Sequence, residues 1–185
     1  MLLLILGMIM FLAVHLTPTF VDFRQTLISW KGEAVYKIGY SCAALVGLIL
    51  IIIGKGRAAH MPLWDSPGWA YHVTQITMLI VFILLPAAYM PTNLKRFMRH
   101  PFLVGLALWA LSHLLVNGDL ASIVLFGGFG VFALFDIWSS NRRGAENADK
   151  KFPVYRDMVV IVIGLIVYGA VIHLHPYLFG ASAIP

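Results

Sequence analysis

The sequence predicts an all-α integral membrane bundle of about six transmembrane helices with both termini periplasmic. Three observations carry that expectation. The 185-residue chain is 61% hydrophobic and 11% charged, whereas a soluble domain carries about 25% charged residues and so has polar surface to face water all round. Its apolar residues gather into six runs near the ~20 residues that cross a hydrocarbon core. Its 13 Lys and Arg fall between those runs and almost all on one side. That placement is the pattern of membrane anchors rather than of a nucleic-acid surface, so the net +5 points to no nucleic-acid partner.

Read in order, the first run extends from Leu2 to Thr17 and ends at Pro18. It has no positively charged leader and no small-residue cleavage site, so it reads as a retained helix rather than a signal peptide. The second run is Ile38–Ile53, where Gly39, Ala43 and Gly47 repeat every four residues; such a small-residue stripe permits close helix contact and offers a face for oligomerisation. The third is Trp69–Tyr89, with Pro86 expected to bend it or mark its end. Phe102–Val116 and Leu120–Trp138 are separated only by Asn117-Gly118-Asp119, which predicts a tight turn and an antiparallel hairpin. A polar stretch, 139–157, then leads to the last helix, 158–175. With six crossings the loops 18–37, 90–101 and 139–157 share a face holding eleven basic residues, from Arg24 to Arg156, and the other face has only Lys55 and Arg57. The positive-inside rule makes the first face cytoplasmic. The single cysteine, Cys42, lies inside an apolar run, which excludes an intramolecular disulfide and reads as a small packed residue.

Seven histidines are many for so apolar a chain. An ionisable group at membrane depth is costly and by default points to a site in the protein interior. His15, in helix one, and His113, in helix four, are the deepest. A lone histidine there can bond one carbonyl and remain a core residue, but two on different helices suit axial ligation of haem iron within a bundle. At ~1.5 Å per residue the two stand at depths about 8 Å apart, which helix tilt can absorb. His72 with His175 is the rival pair; His173 points roughly 200° away from His175 around the same helix. His60 and His100 read as loop residues. Trp109, one turn before His113, either lines the pocket or packs. Asp136, near the cytoplasmic end of helix five, is expected to pair with Arg142 or Arg143, the other reading being an acceptor for a ligand imidazole. No HExxH, zinc spacing, phosphate loop or serine triad is present in the sequence.

The opening Met1-Leu-Leu-Leu-Ile-Leu-Gly and Leu12-Ala-Val-His15 resemble the NnrU family of bacterial membrane proteins. So do Tyr89-Met-Pro-Thr-Asn93, Arg99-His100-Pro101 and Ala107-Leu-Trp109-Ala-Leu-Ser-His113-Leu-Leu-Val-Asn117-Gly118. The likeness covers residues 1–140 and is strongest from Arg99 to Gly118, and the whole chain, 1–185, reads as one such transmembrane domain. NnrU proteins are similar in turn to the 15-cis-zeta-carotene isomerases, haem b membrane enzymes. That resemblance implies haem b as cofactor, with His15 and His113 at the axial-ligand positions. His100-Pro101 matches the His-Pro before the ligand helix, and Tyr168-Gly-Ala-Val-Ile-His-Leu-His175-Pro176 resembles the isomerase's C-terminal helix end. A cysteine that takes part in redox-linked ligand exchange in the isomerase is replaced here by Ala110. The family's link to nitrite and nitric oxide reductase expression implies a role in denitrification in the bacterial inner membrane, in reductase expression or maturation, redox or gas responsive, with the nitrogen-oxide reductase system as partner. A haem-dependent cis–trans isomerase of a polyene lipid such as a carotenoid, and a cofactor-free structural membrane protein, are the other readings of the same residues.

Overall fold

The computed structural model describes residues 1–184, and among these it contains helices and no strand. In chain order they are α1 (Leu2–Leu16), α2 (Val21–Lys31), α3 (Glu33–Gly56), α4 (Ala70–Tyr89), α5 (Pro101–Val116), α6 (Leu120–Arg142) and α7 (Val154–Phe179). Five apolar segments, α1 with its 3-10 extension to Thr19, α3, α4, α6 and α7, are long enough to cross a membrane. The chain is thus a multi-pass membrane protein. The sixth, α5, has 16 residues and spans about 24 Å of a ~30 Å core. Pro101 at its first turn and the non-helical Asn117 at its end set those limits.

Neighbouring helices pack in the order α3–α1–α6–α5–α4–α7. Every adjacent pair in that row is antiparallel except α1 and α6, which run the same way: Leu4 packs with Ala121, and His15 lies edge-on to Phe132. The row leaves α3 and α7 with one helical neighbour each along most of their length. That is why so many of their Ile, Leu and Val residues are exposed, to lipid rather than to water, since an apolar bilayer is their solvent.

Glycine decides how close the first pair comes. A Cβ built on Gly54 would stand 2.3 Å from the backbone nitrogen of Leu4, one on Gly7 2.7 Å from that of Ile51, and one on Gly47 2.9 Å from that of Phe11. Backbones therefore touch along the whole α1–α3 contact, the usual way small residues drive association where lipid removes the hydrophobic force. Of the stripe singled out in the sequence, Gly47 is consumed by this internal contact, while a side chain at Gly39 would meet nothing within 4 Å. Gly164 performs the same service for α7 against Phe82 and Ile83 of α4.

Three expectations need correction. Loop 18–37 is mostly helical: after a 3-10 turn at Thr17–Thr19, α2 occupies Val21–Lys31 and α3 begins at Glu33 rather than Ile38. Its polar, weakly periodic residues conceal it, because a short helix at a membrane boundary need not bury a full apolar face. The polar stretch 139–157 is shorter as a loop, since α6 continues to Arg142 and α7 starts at Val154. Cys42 is exposed, because the row of helices leaves that side of α3 without a protein neighbour. Pro86 sits inside the last turn of α4, which ends at Tyr89.

The Met90–Asn93 segment acquires a definite structural job. Asp157 in the first turn of α7 accepts hydrogen bonds from the Thr92 hydroxyl (2.5 Å), the Asn93 backbone N–H (2.8 Å) and the Asn93 side-chain amide (2.7 Å). Asn93 also exchanges bonds with the Phe152 backbone at 2.8 and 2.9 Å. The clasp ties α4 to α7 at the basic end of the bundle. At the other end lie the start of α1, the 57–69 loop, the α5–α6 turn and the end of α7. Alkaline phosphatase fused after Ile184 is expected to be active in the periplasm and fusions within 139–153 inactive; the reverse pattern would overturn the orientation that the eleven-to-two split of basic residues predicts.

Candidate functional site

His15 and His113 present the same chemistry from two helices. Each donates its Nδ1–H to the carbonyl one turn back on its own helix, His15 to Phe11 at 2.8 Å and His113 to Trp109 at 2.9 Å. That bond sets the tautomer and leaves Nε2 as the free lone pair, the form in which imidazole binds a metal. Both rings are half-buried, and both lie against α6, His15 beside Phe132 and His113 beside Phe126.

Between them runs a set of aromatic rings. The His15 ring stacks on Phe11 (centroids 4.1 Å apart, planes 24° apart) and lies 6.3 Å from Phe132. Phe11 meets Phe129 at 5.7 Å, Phe129 meets Trp109 at 5.7 Å, and Trp109 stands 5.2 Å from His113. Phe126 completes the His113 side at 4.8 Å. His15 is level with Phe132 and His113 with Phe126, six positions apart on α6, hence offset along the membrane normal by about 9 Å at ~1.5 Å per residue. This agrees with the offset expected from the sequence. Trp109 therefore packs within this aromatic set and touches the His113 ring.

The backbone of α6 departs from regular helix at this place. Ile123–Gly127 forms a π-turn immediately before Gly128, the kind of local widening that recurs at functional sites. Beside it, an apolar cleft of about 380 Å³ is lined by Leu12, Leu16, Gly127, Gly128, Val131 and Phe132. Leu12 and Leu16 flank His15 in α1, so the cleft and the imidazole share one neighbourhood. Ala110 is fully buried, its Cβ facing Gly130 across α5 and α6.

The remaining histidines are placed differently. His72 and His173 are exposed, and His175 bonds the carbonyl of Ala181 at 2.7 Å through Nδ1. His60 is exposed, and His100 bonds the Asn141 side chain at 3.0 Å. Asp136 lies 3.7 Å from Arg143, as the ion-pair reading expects, while Arg142 stacks over Trp138 at 4.4 Å. The hydrogen bonds of both deep imidazoles go to backbone carbonyls, so neither uses Asp136. Among the described residues no three His, Cys, Asp or Glu side chains converge as a metal cage.

A family model described as NnrU protein matches residues 3–183. The chain belongs to the NnrU family. Membership associates this NnrU protein with denitrification at the membrane. The match extends beyond residue 140, to which the likeness in the sequence was followed, and takes in α7. No curated protein and no solved structure matches the chain.

One polar centre of this NnrU protein escaped the sequence reading. At the start of α6, Lys55 donates to both oxygens of Asp119 (3.0 and 3.3 Å) and to the Ser122 hydroxyl (2.7 Å). Asp119 also caps the helix by accepting from the Ser122 backbone N–H at 3.0 Å and from its hydroxyl. The 57–69 loop covers it, through the Leu63 N–H to Gly118 carbonyl bond (2.7 Å) and the Leu120 N–H to Met61 carbonyl bond (3.0 Å). Asp119-Leu-Ala-Ser122 has the spacing of a helix N-cap, the signal that could have found it; its pairing with Lys55, 64 residues away, had none.

Burial raises the Asp119 carboxyl, but hydrogen bonds from Ser122 and Lys55 outweigh it and hold the group below the ordinary value of 3.8. A carboxylate with a depressed folded pKa stabilises the fold above its unfolded value and loses that contribution as pH falls through the folded one. Asp119→Asn is expected to lower stability at neutral pH by about 1–3 kcal/mol, since Lys55 loses its charge partner. Melting in detergent should show the wild type converging on the variant below about pH 4, with the gap open at pH 7. A gap independent of pH would show that the ion pair is not its origin.

Proposed function

We propose that this NnrU protein binds haem b in the bacterial inner membrane, where His15 and His113 would hold the iron, and acts as a redox- or gas-responsive component of nitrogen-oxide respiration. The observation that carries the reading is the matched preparation of the two imidazoles: the same Nδ1 tether one turn back, the same free Nε2, and a shared arc of the one helix whose backbone widens into a π-turn. The donor set suits haem iron, which takes neutral imidazoles. The two imidazoles would hold the group, and the apolar cleft between α1 and α6 provides open space beside His15. When bound, haem supplies one-electron chemistry or a gas-sensitive iron. The chain's own contribution is to orient the two imidazoles, to surround the site with Phe126, Phe132 and Trp109, and to keep water from it by membrane depth.

The isomerase reading is the weaker one, because Ala110 is packed without exposure where the isomerase has its exchanging cysteine. An absorption spectrum of protein purified after haem-replete expression is the direct test. A Soret band is the expected result, and its absence would favour a structural role for both histidines. Conversion of a cis-carotenoid by membranes containing the protein would restore the isomerase reading.

A further inference from the structure

The short helix α2 has no role in the site above, and its composition is unusual for a connector. Trp30 is 80% exposed and Phe23 56% exposed, while Arg24 and Lys31 lie on the same eleven-residue helix. Exposed aromatics beside cations are the mark of a helix lying at the membrane interface. Between α2, the end of α1 and the first half of α3 is a cleft of about 300 Å³, lined by Val14, Leu27, Tyr36, Tyr40, Ala43 and Lys31 among others. Neither Arg24 nor Lys31 forms a salt bridge among the described residues, and the nearby Glu33 is engaged by Lys37 at 2.9 Å. Arg24 stands 5.7 Å above the Tyr36 ring and Lys31 5.8 Å above that of Trp30. Lys31 thus lines an apolar slot at the basic end of the bundle, and Arg24 stands over the ring of the slot residue Tyr36, with Glu33 within its electrostatic reach but already paired to Lys37.

We propose that this cleft is a site for an anionic diacyl phospholipid, with one acyl chain in the slot and the phosphate between Arg24 and Lys31. An apolar slot alone accepts any acyl chain. The two cations, neither held in a salt bridge, select the headgroup, since basic residues near a membrane surface favour anionic lipid. The cleft adjoins His15, whose ring lies 5.4 Å from Tyr40, but it takes a different ligand, and its headgroup end does not depend on haem.

The test uses delipidated, detergent-solubilised full-length protein titrated with dioleoylphosphatidylglycerol, dioleoylphosphatidylcholine or inorganic phosphate, with bound lipid counted by native mass spectrometry. Phosphatidylglycerol is expected to bind about tenfold or more tightly than phosphatidylcholine, from the attraction of the two cations. The R24Q/K31Q double variant should abolish this preference, and K150Q/K151Q, on the same face but outside the cleft, should keep it. Gly39→Leu projects into the slot from a lining position where an added Cβ meets nothing within 4 Å, so it should fold normally and weaken both lipids. Equal binding of the two lipids, or equal loss in K150Q/K151Q, would overturn the headgroup assignment. Unchanged binding in Gly39→Leu would overturn the acyl seat, and displacement of lipid by inorganic phosphate would show an anion site instead.

Discussion

Replacing His15 or His113 with alanine is expected to convert a low-spin ferric haem spectrum into a high-spin one, or to lower haem occupancy several-fold. Two strong-field imidazoles keep ferric iron low-spin, and removing one opens a coordination position. His60→Ala should leave the spectrum unchanged because that ring is exposed in a loop. His100→Ala should do the same, since His100 is bonded to Asn141 at the other end of α5 from His113. The informative comparison is His72→Ala with His175→Ala. If these abolish the low-spin signal while the His15 and His113 variants retain it, the ligand assignment is wrong even though haem binding survives. Stability supplies a second readout. A ligand bound only by the folded state adds to stability, and one held by α1 and α5 together clamps the two helices that flank α6. Haem-depleted protein should therefore melt at lower temperature in detergent.

Gly54→Ala is expected to be the most damaging single-methyl change in the bundle. The new Cβ would lie 2.3 Å from the Leu4 nitrogen and 2.6 Å from its Cα, and backbone cannot rotate away as a side chain can. The helices must separate, which loosens Leu4, fully buried in the cluster with Met8, Ile51 and Ala121. Overpacking of this kind costs about 1–3 kcal/mol and more where backbone must shift. Gly39→Ala on the same helix is the control, because its added methyl meets nothing within 4 Å. Melting in detergent should separate the two variants clearly. Equal melting temperatures would mean that α1 and α3 are not in backbone contact.

These two experiments probe features that differ in how far the sequence disclosed them. His15 and His113 were legible because a polar imidazole inside a long apolar run is expensive and therefore stands out in one dimension. Their depth offset followed from counting residues at a fixed rise. The glycine contacts were half legible: the four-residue stripe Gly39, Ala43, Gly47 is visible in the chain, but its direction is not. The contact that matters follows a seven-residue spacing, Gly47 to Gly54, set by the antiparallel run of α1 across α3. Helix α2 was missed because its eleven residues, VDFRQTLISWK, are too polar to show an apolar helical periodicity and bury none of their side chains.

Composition and charge placement alone determined that the chain is helical, crosses a membrane several times and carries its basic residues on one face, because a bilayer admits few ways to satisfy a backbone and charges are costly within it. The resemblance carried by Arg99–Gly118 determined the family. Only the tertiary structure decided the row order α3–α1–α6–α5–α4–α7, the aromatic rings between the two deep histidines, and the meeting of Lys55 with Asp119 and Ser122. Those depend on which faces of helices distant in sequence come together. In a membrane that choice is made by close-packed small residues and a few buried polar bonds, whose partners a single chain of letters does not name.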